Sequence, residues 1–329
     1  MISGLSWDMK NRMRRIITHC SRRIRGKNKD GRIVVSLTSY PARIATVSES
    51  IHSLLSQSVL PDVIVLWLCR SDFPHGISDL PGSLRRMLAS DIQVRWVNDD
   101  LKPHKKYFWA LQEYSKDNVI IVDDDLIYRD TMIADLLAMH ERHPGCVVAS
   151  RAHLIMFDAK GQCLPYQQWI YEAPHYYHTL VGKPSMRLFA TNGAGTLYPP
   201  EVNMPAETFD ADRIRRLCLT ADDLWLKVMQ VIAGVQVVAA TDDELLSYVP
   251  GTQGEEALCH QNTENGANDV FQSQILADME QRGLLHSPFN QLVADPQLDV
   301  DLADHSMIPE SYTCVGATEP PTPGATDHE

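Results

Sequence analysis

Apolar positions along this chain follow two rhythms that alternate. The segments "GRIVVSLTSY", "DVIVLWL", "IQVRWV" and "NVIIV" read as strands, the first over roughly residues 32 to 38. "DVIVLWL" is apolar without interruption, which suits a parallel sheet covered on both faces. Between the strands, "TVSESIHSLLSQS" places Val47, Ile51, Leu54 and Leu55 at helical spacing, and "HKKYFWALQEYS" predicts a second helix. This alternation runs over about 120 residues and predicts a βαβ-type open sheet. Ligands of such sheets bind beyond the carboxyl ends of the strands.

After Asp125 the rhythm changes. "DTMIADLLAMHERH" is helical and "CVVAS" is a short strand. Residues 158 to 185, rich in Tyr, His, Pro and Gly, read as irregular. A second structured stretch covers "TNGAGTLYPP", the helix "TADDLWLKVMQVIAG" and the strand "VQVVAA", and a last helix is expected at 268 to 281. From about residue 294 the chain is polar, acidic and Pro-rich, a composition that predicts disorder.

The charge is uneven. The chain of 329 residues carries a net −12, which argues against a nucleic-acid partner. Residues 1 to 32 nevertheless hold ten Lys or Arg against two Asp, a net of +8 that leaves −20 for the rest. In "MKNRMRRIITHCSRRIRGK", Met9, Met13, Ile16 and Ile17 share roughly one helical face among arginines. Two readings stand: a helix lying on an anionic membrane surface, or a solvated basic arm. The expected location is therefore cytoplasmic, with peripheral attachment to the inner face of the plasma membrane on the first reading. No stretch approaches the ~20 apolar residues of a membrane-spanning helix. Seven scattered cysteines without a CxxC pair read as thiols of a reducing compartment.

Chemistry concentrates at "NVIIVDDDLIY". Like charges in sequence repel, so three successive aspartates need a cation or a fully solvated turn. A rigid apolar strand ending in Asp-x-Asp is suited to Mg²⁺ or Mn²⁺, which prefer hard oxygen ligands and keep sites open for phosphate oxygens. Strand alternation would put Asp123 and Asp125 on one side and Asp124 on the other. In "LTADDLWLK", Thr220 is a good N-cap, and Asp222 and Asp223 fall in a first helical turn, where acids are stabilised by the helix dipole. Lys105 and Lys106 open a helix against that dipole, a cost that makes sense if they face an anion.

The alternating first half and "IIVDDDLIY", with the later segments in matching order over roughly residues 31 to 275, resemble the GT-A class of nucleotide-sugar glycosyltransferases, closest to bacterial surface-polysaccharide and exostosin-like members. The resemblance implies an α/β fold, an open and mostly parallel sheet flanked by helices with a smaller acceptor-side β/α region. With the basic arm (1–30) and the acidic, Pro-rich tail (294–329) set apart by charge and composition, it divides the rest into a nucleotide-sugar-binding half (31–130) and an acceptor-binding and catalytic half (131–293). It implies Mn²⁺ or Mg²⁺ held by Asp123 and Asp125 with His260 as a further ligand. It implies a UDP- or GDP-sugar donor contacted by Thr38, Ser39, Tyr40, Arg43, Lys105, Lys106, Asp123 and Asp124. Gly193, Gly195 and Asp222 would lie beneath the donor sugar and acceptor, and Asp223 would be the catalytic base. The acceptor would be a hydroxyl of a capsule, lipopolysaccharide or similar surface glycan.

Rival classes fit less well. A haloacid-dehalogenase phosphatase carries its Asp-x-Asp on the first strand and not the fourth. A nucleotidyltransferase acting on sugar phosphates would show a Gly-rich basic loop after the first strand, where "TSYPARI" has no glycine. A non-catalytic carbohydrate-binding scaffold would have no use for two intact metal-type acids.

Overall fold

The computed structural model describes residues 31–88, 92–242, 246–253, 266–295 and 298. The basic arm and most of the tail lie outside these residues, as does His260.

The first half follows the expected alternation: β1 (Ile33–Thr38), α1 (Val47–Leu55), β2 (Val63–Cys69), the short α2 (Gly82–Met87) and β3 (Ile92–Val97). The helix expected over "HKKYFWALQEYS" is broken into a 3-10 turn at Lys102–His104, then α3 (Lys105–Phe108) and α4 (Ala110–Glu113), before β4 (Asn118–Val122). In the second half come α5 (Met132–Arg142), β5 (Val147–Ala149), β6 (Ala152–Leu154), α6 (Ala173–Tyr176), β7 (Leu188–Ala190) and β8 (Ala194–Tyr198). They are followed by α7 (Ala211–Leu217), α8 (Asp222–Ala233), β9 (Val237–Ala239), α9 (Ala267–Gln281) and α10 (Phe289–Val293).

Seven strands form one sheet in the order β3-β2-β1-β4-β8-β5-β9. All neighbours are parallel except β8, which runs antiparallel to both β4 and β5. The α/β, mostly parallel architecture thus agrees with the sequence reading. Alternation along the strands feeds two cores. Val34, Val65 and Val119 enter one, together with Tyr107, Trp225 and Phe189. Val35, Leu66 and Ile120 enter the other, with Ile51, Met132 and Val148. Both cores draw on both halves of the chain, and β4 is buried along its whole length.

The stretch read as irregular, 158 to 185, is flanked by a two-stranded antiparallel sheet, β6 with β7, that sequence rhythm did not reveal. Each strand is only three residues long, too short to show a period. The register between β4 and β8 shifts between Ile121 and Val122, so Gly195 has no partner there. Gly195 has φ +103°, and a Cβ would lie 2.8 Å from the Met132 sulfur. Only glycine fits this bulge.

Candidate active site

The carboxyl end of β4 runs directly into the three aspartates, and β8 enters the sheet beside it. The Asp123 N–H donates to the Gly193 carbonyl at 3.0 Å. The Tyr128 hydroxyl accepts from the same N–H at 2.8 Å and donates to the Gly193 carbonyl at 2.6 Å. A Cβ on Gly193 would overlap the Asp123 carboxylate, so the close approach of the two strands depends on that glycine.

The strand ends at Val122, so strict alternation does not carry through the triplet, and the expectation for Asp123 and Asp125 is corrected accordingly. Asp124 and Asp125 share one cation, Arg43, whose Nη1 reaches Asp124 at 3.3 Å and also bonds Asp125. Ser39 Oγ donates to Asp124 at 2.5 Å, and Gln253 Nε2 donates to Asp125 at 2.9 Å. Asp123 stands apart. Its side chain is 39% exposed against 8% and 11% for Asp124 and Asp125, so it is the most solvent-accessible member of the triplet.

Adjacent lysines part company here. Lys106 reaches Asp123 Oδ1 at 2.6 Å and lies 3.0 Å from Asp222 Oδ2, bridging the two acidic segments with only 4% of its side chain exposed. Lys105 turns the other way and pairs with Asp100. The structure therefore brings Lys106 to the acids and keeps Lys105 away. Thr38 is also kept away, its hydroxyl donating to the Trp67 carbonyl at 2.8 Å. Tyr40 is 37% exposed beside the Arg43 guanidinium, which lies 5.9 Å from its ring centre.

Helix α8 begins one residue later than a Thr220 cap would have it: Ala221 occupies the cap and makes no side-chain bond. Asp222 and Asp223 do fall in the first turn. Asp223 Oδ1 accepts from the Asn192 N–H at 3.1 Å and from its Nδ2 at 2.8 Å. Asn192 is oriented in turn by the Tyr198 hydroxyl at 2.8 Å, to which Gln230 donates at 3.0 Å. Sequence reasoning missed Asn192, Tyr128 and Gln253. Asn192 stood next to the nominated glycines, and an amide there was the available signal.

Electrostatics mark this place as overloaded. Five carboxylates (Asp123, Asp124, Asp125, Asp222, Asp223) meet two cations, Lys106 and Arg43. Burial, reinforced by the Asp125 charge, pushes Asp124 up to about 6. Burial and the Asp123 charge raise Asp125. Burial and Asp222 push Asp223 up to about 7. Burial alone would lower Lys106, but Asp123, Asp222 and Asp223 outweigh it and hold it well above its ordinary value. Asp222 Oδ2 is buried without a hydrogen bond, because its 3.0 Å approach to Lys106 lacks hydrogen-bond geometry. Hard oxygens, surplus negative charge and an orphaned buried oxygen together fit a divalent cation.

A second group also has ligand-type spacing. Among the described residues, the set of three His, Cys, Asp or Glu with all ligand atoms within 4.8 Å is Cys69, Asp72 and Asp100, at the ends of β2 and β3. No helix among the described residues is long and apolar enough to cross a membrane.

This is an α/β protein with an acid-rich cleft at the carboxyl ends of parallel strands. No protein-family model matches the chain. No curated protein matches it either. Among solved structures it is similar to S. aureus TarS, with 14% identity and a TM-score of 0.39 over 66% of this chain and 59% of that one. The structure of TarS in complex with UDP gives 15% and 0.38 over the same shares. It is also similar to a mannosyltransferase, PcManGT from Pyrobaculum calidifontis in complex with GDP-Man and Mn²⁺, with 12% identity and a TM-score of 0.48 over 81% of this chain and 71% of that one. The chain thus spans less than two thirds of the TarS chain it matches.

Proposed function

We propose that this chain is a metal-dependent GT-A glycosyltransferase that moves a sugar from a nucleotide diphosphate to a glycan hydroxyl. The observation that carries the reading is Lys106, buried between Asp123 of the strand-end triplet and Asp222, the neighbour of Asp223. On this reading the donor phosphates and the acceptor base meet on either side of Lys106.

On this reading Asp223, pushed up to about 7, is poised to take the acceptor proton near neutral pH. Asn192 holds one carboxylate oxygen, which fixes the direction of the other. The acceptor oxygen bonds to the anomeric carbon as the bond from that carbon to the diphosphate breaks. The diphosphate leaves with the electron pair, and Lys106 and Arg43 supply positive charge toward it. Asp123 and Asp125 would hold Mn²⁺ or Mg²⁺, which supplies further charge to the leaving diphosphate. Ser39 and Arg43 fix Asp124 and Asp125 in place. The basic residues 1 to 30 would hold the enzyme to an anionic membrane surface, where a surface glycan grows.

The test is a screen of UDP- and GDP-sugars for hydrolysis and thermal stabilisation, with and without Mn²⁺. Hydrolysis and stabilisation that both require the metal are expected. Nucleotide binding of equal strength in EDTA would refute the metal role, and no binding of any nucleotide-sugar would refute the transferase reading.

A further inference from the structure

Arg151 follows β5 and takes no part in the site described above, yet it sits at its edge. Its carbonyl accepts from the Thr191 N–H at 3.2 Å, and Thr191 leads into Asn192, the partner of Asp223. On the other side, the Tyr248 hydroxyl lies near enough to act on the Arg151 charge, and Tyr248 pairs across a β-bridge with Leu126, next to Asp125. Arg151 is therefore tied through its backbone to the segment that holds Asp223, on the side contributed by the second half of the chain.

Its side chain is only 16% exposed, and its partner Glu172 8%. The pair is joined by one bond, from Arg151 Nε to Glu172 Oε1 at 2.8 Å. Arginine and carboxylate commonly meet through two parallel bonds. Here the two Nη groups make no hydrogen bond among the described residues and are not among the buried atoms left without a partner, so their four N–H donors are open to solvent and to a ligand.

The clamp is itself strained and braced. Glu172 is a non-glycine residue in the left-handed region, at φ +50°. Its N–H donates to His153 Nδ1 at 3.1 Å, and His153 stacks on Tyr171 with ring centres 4.5 Å apart. Burial lowers His153 well below its ordinary value, which keeps the ring neutral and able to accept. Strained backbone held by surrounding packing is a mark of functional positions.

We propose that Arg151, held at Nε by Glu172, uses its Nη groups to recognise an oxyanion, phosphate or carboxylate, carried by the acceptor glycan. This rests on the glycosyl-transfer reading and deepens it: the acceptor is acidic and not neutral. Glu172 is a positioning residue, which turns the guanidinium without consuming the nitrogens that bind.

The test compares probe pairs that differ only in the anion: glycerol against glycerol 3-phosphate, and methyl β-glucoside against methyl β-glucuronide. Binding is followed by ligand-observed NMR, with saturating UDP or GDP and Mg²⁺ filling the donor's phosphate site. One acidic probe should bind about tenfold more tightly than its neutral twin, as a charged hydrogen bond requires. Which pair responds tells phosphate from carboxylate. Arg151→Gln should erase the difference, and Arg151→Lys, which keeps the charge but not the fork, should restore part of it. Because Arg151→Gln leaves Glu172 buried and uncompensated, the double variant Arg151→Gln/Glu172→Gln serves as a folded control by its melting temperature. Twins that bind alike, or an acid preference that survives Arg151→Gln in the folded control, would overturn the proposal. A protein that binds no nucleotide but keeps an Arg151-dependent acid preference would refute the transferase reading and leave the oxyanion subsite standing.

Discussion

Two acidic clusters occupy the carboxyl ends of this sheet, and consecutive lysines serve them. Lys105 turns to Asp100 at the end of β3, while Lys106 turns to Asp123 at the end of β4. At the first cluster, Asp100 also pairs with Lys102, and burial's upward push on its pKa is outweighed by these two lysines, which leave it below its ordinary value. Two aspartates there face two lysines, so charge is balanced. At the second, five carboxylates face two cations, and Asp124, Asp125 and Asp223 are all raised. Ligand-type spacing belongs to the first cluster, but unmet demand for positive charge belongs to the second. The proposed reading therefore assigns nucleotide and metal to the second cluster by its charge and not by its spacing, because balanced acids have little to gain from a further cation.

The comparison is broken most decisively at Asp223. Asp223→Asn should lower turnover by roughly 10²–10⁴ while nucleotide binding with metal persists. Asp222→Asn shares the helix-start position and should keep most activity, and near-parental turnover in Asp223→Asn would make that acid structural. In the parent, activity should rise as pH climbs through about 7, since on the proposed reading Asp223 must lose its proton to act as base.

Next in size are the lysines. Lys106→Met leaves Asp123 and Asp222 without their shared cation and should cost about 3–5 kcal/mol in a denaturant melt without ligand. Added Mn²⁺ should recover part of this. Lys105→Met should cost less, since Lys102 remains on Asp100, and Mn²⁺ should not change its melt relative to the parent. Equal rescue of both variants would mean that the clusters do not differ as described.

A smaller effect is expected from ligand. UDP or GDP with Mn²⁺ at a hundred times its dissociation constant should stabilise the parent by about 2.7 kcal/mol. Asp125→Ala should abolish that gain, whereas Asp72→Ala, in the balanced cluster, should not.

The smallest is the pH dependence of stability without metal. Asp124 and Asp223 bind protons more tightly folded than unfolded, so their contribution is present near pH 4 and is lost as pH rises through about 6 and 7. Melting temperature should decline over that window, and less steeply with Mn²⁺ present. Asp100, lowered and not raised, acts in the opposite sense, and its contribution is lost only as pH falls below the ordinary carboxylate range.

The sheet was legible where apolar runs were long. β1, β2 and β4 stand out because five or more consecutive residues are buried in each. α8 was legible from its continuous apolar spacing. β6 and β7 were not, since each is a three-residue strand whose partner lies far along the chain. Within the site, Asp123, Asp222 and Asp223 could be nominated because acids at a strand end or helix start are unusual or explicable locally. That Lys106 and not Lys105 faces them was hidden, because adjacent residues of one helix point about 100° apart and only the packing of α3 decides which of the two meets the acids. Asn192, Gln253 and Arg151 were invisible for the same kind of reason: each reaches its role through a partner distant in sequence.

Arg43 also donates to the Thr252 carbonyl at 3.3 Å, closing a contact between residues 209 positions apart. The cleft is thus a clasp that joins the start of the sheet to one of the last described segments. Contacts of such range carry a loop-closure cost before they are rewarded, which predicts that the clasp forms late in folding. It follows that a nascent chain displays β1 through β4 with their acids long before Thr252 and Gln253 arrive. The triplet meets these partners only once 253 of the 329 residues have been made, so a shorter product carries the strands without the clasp.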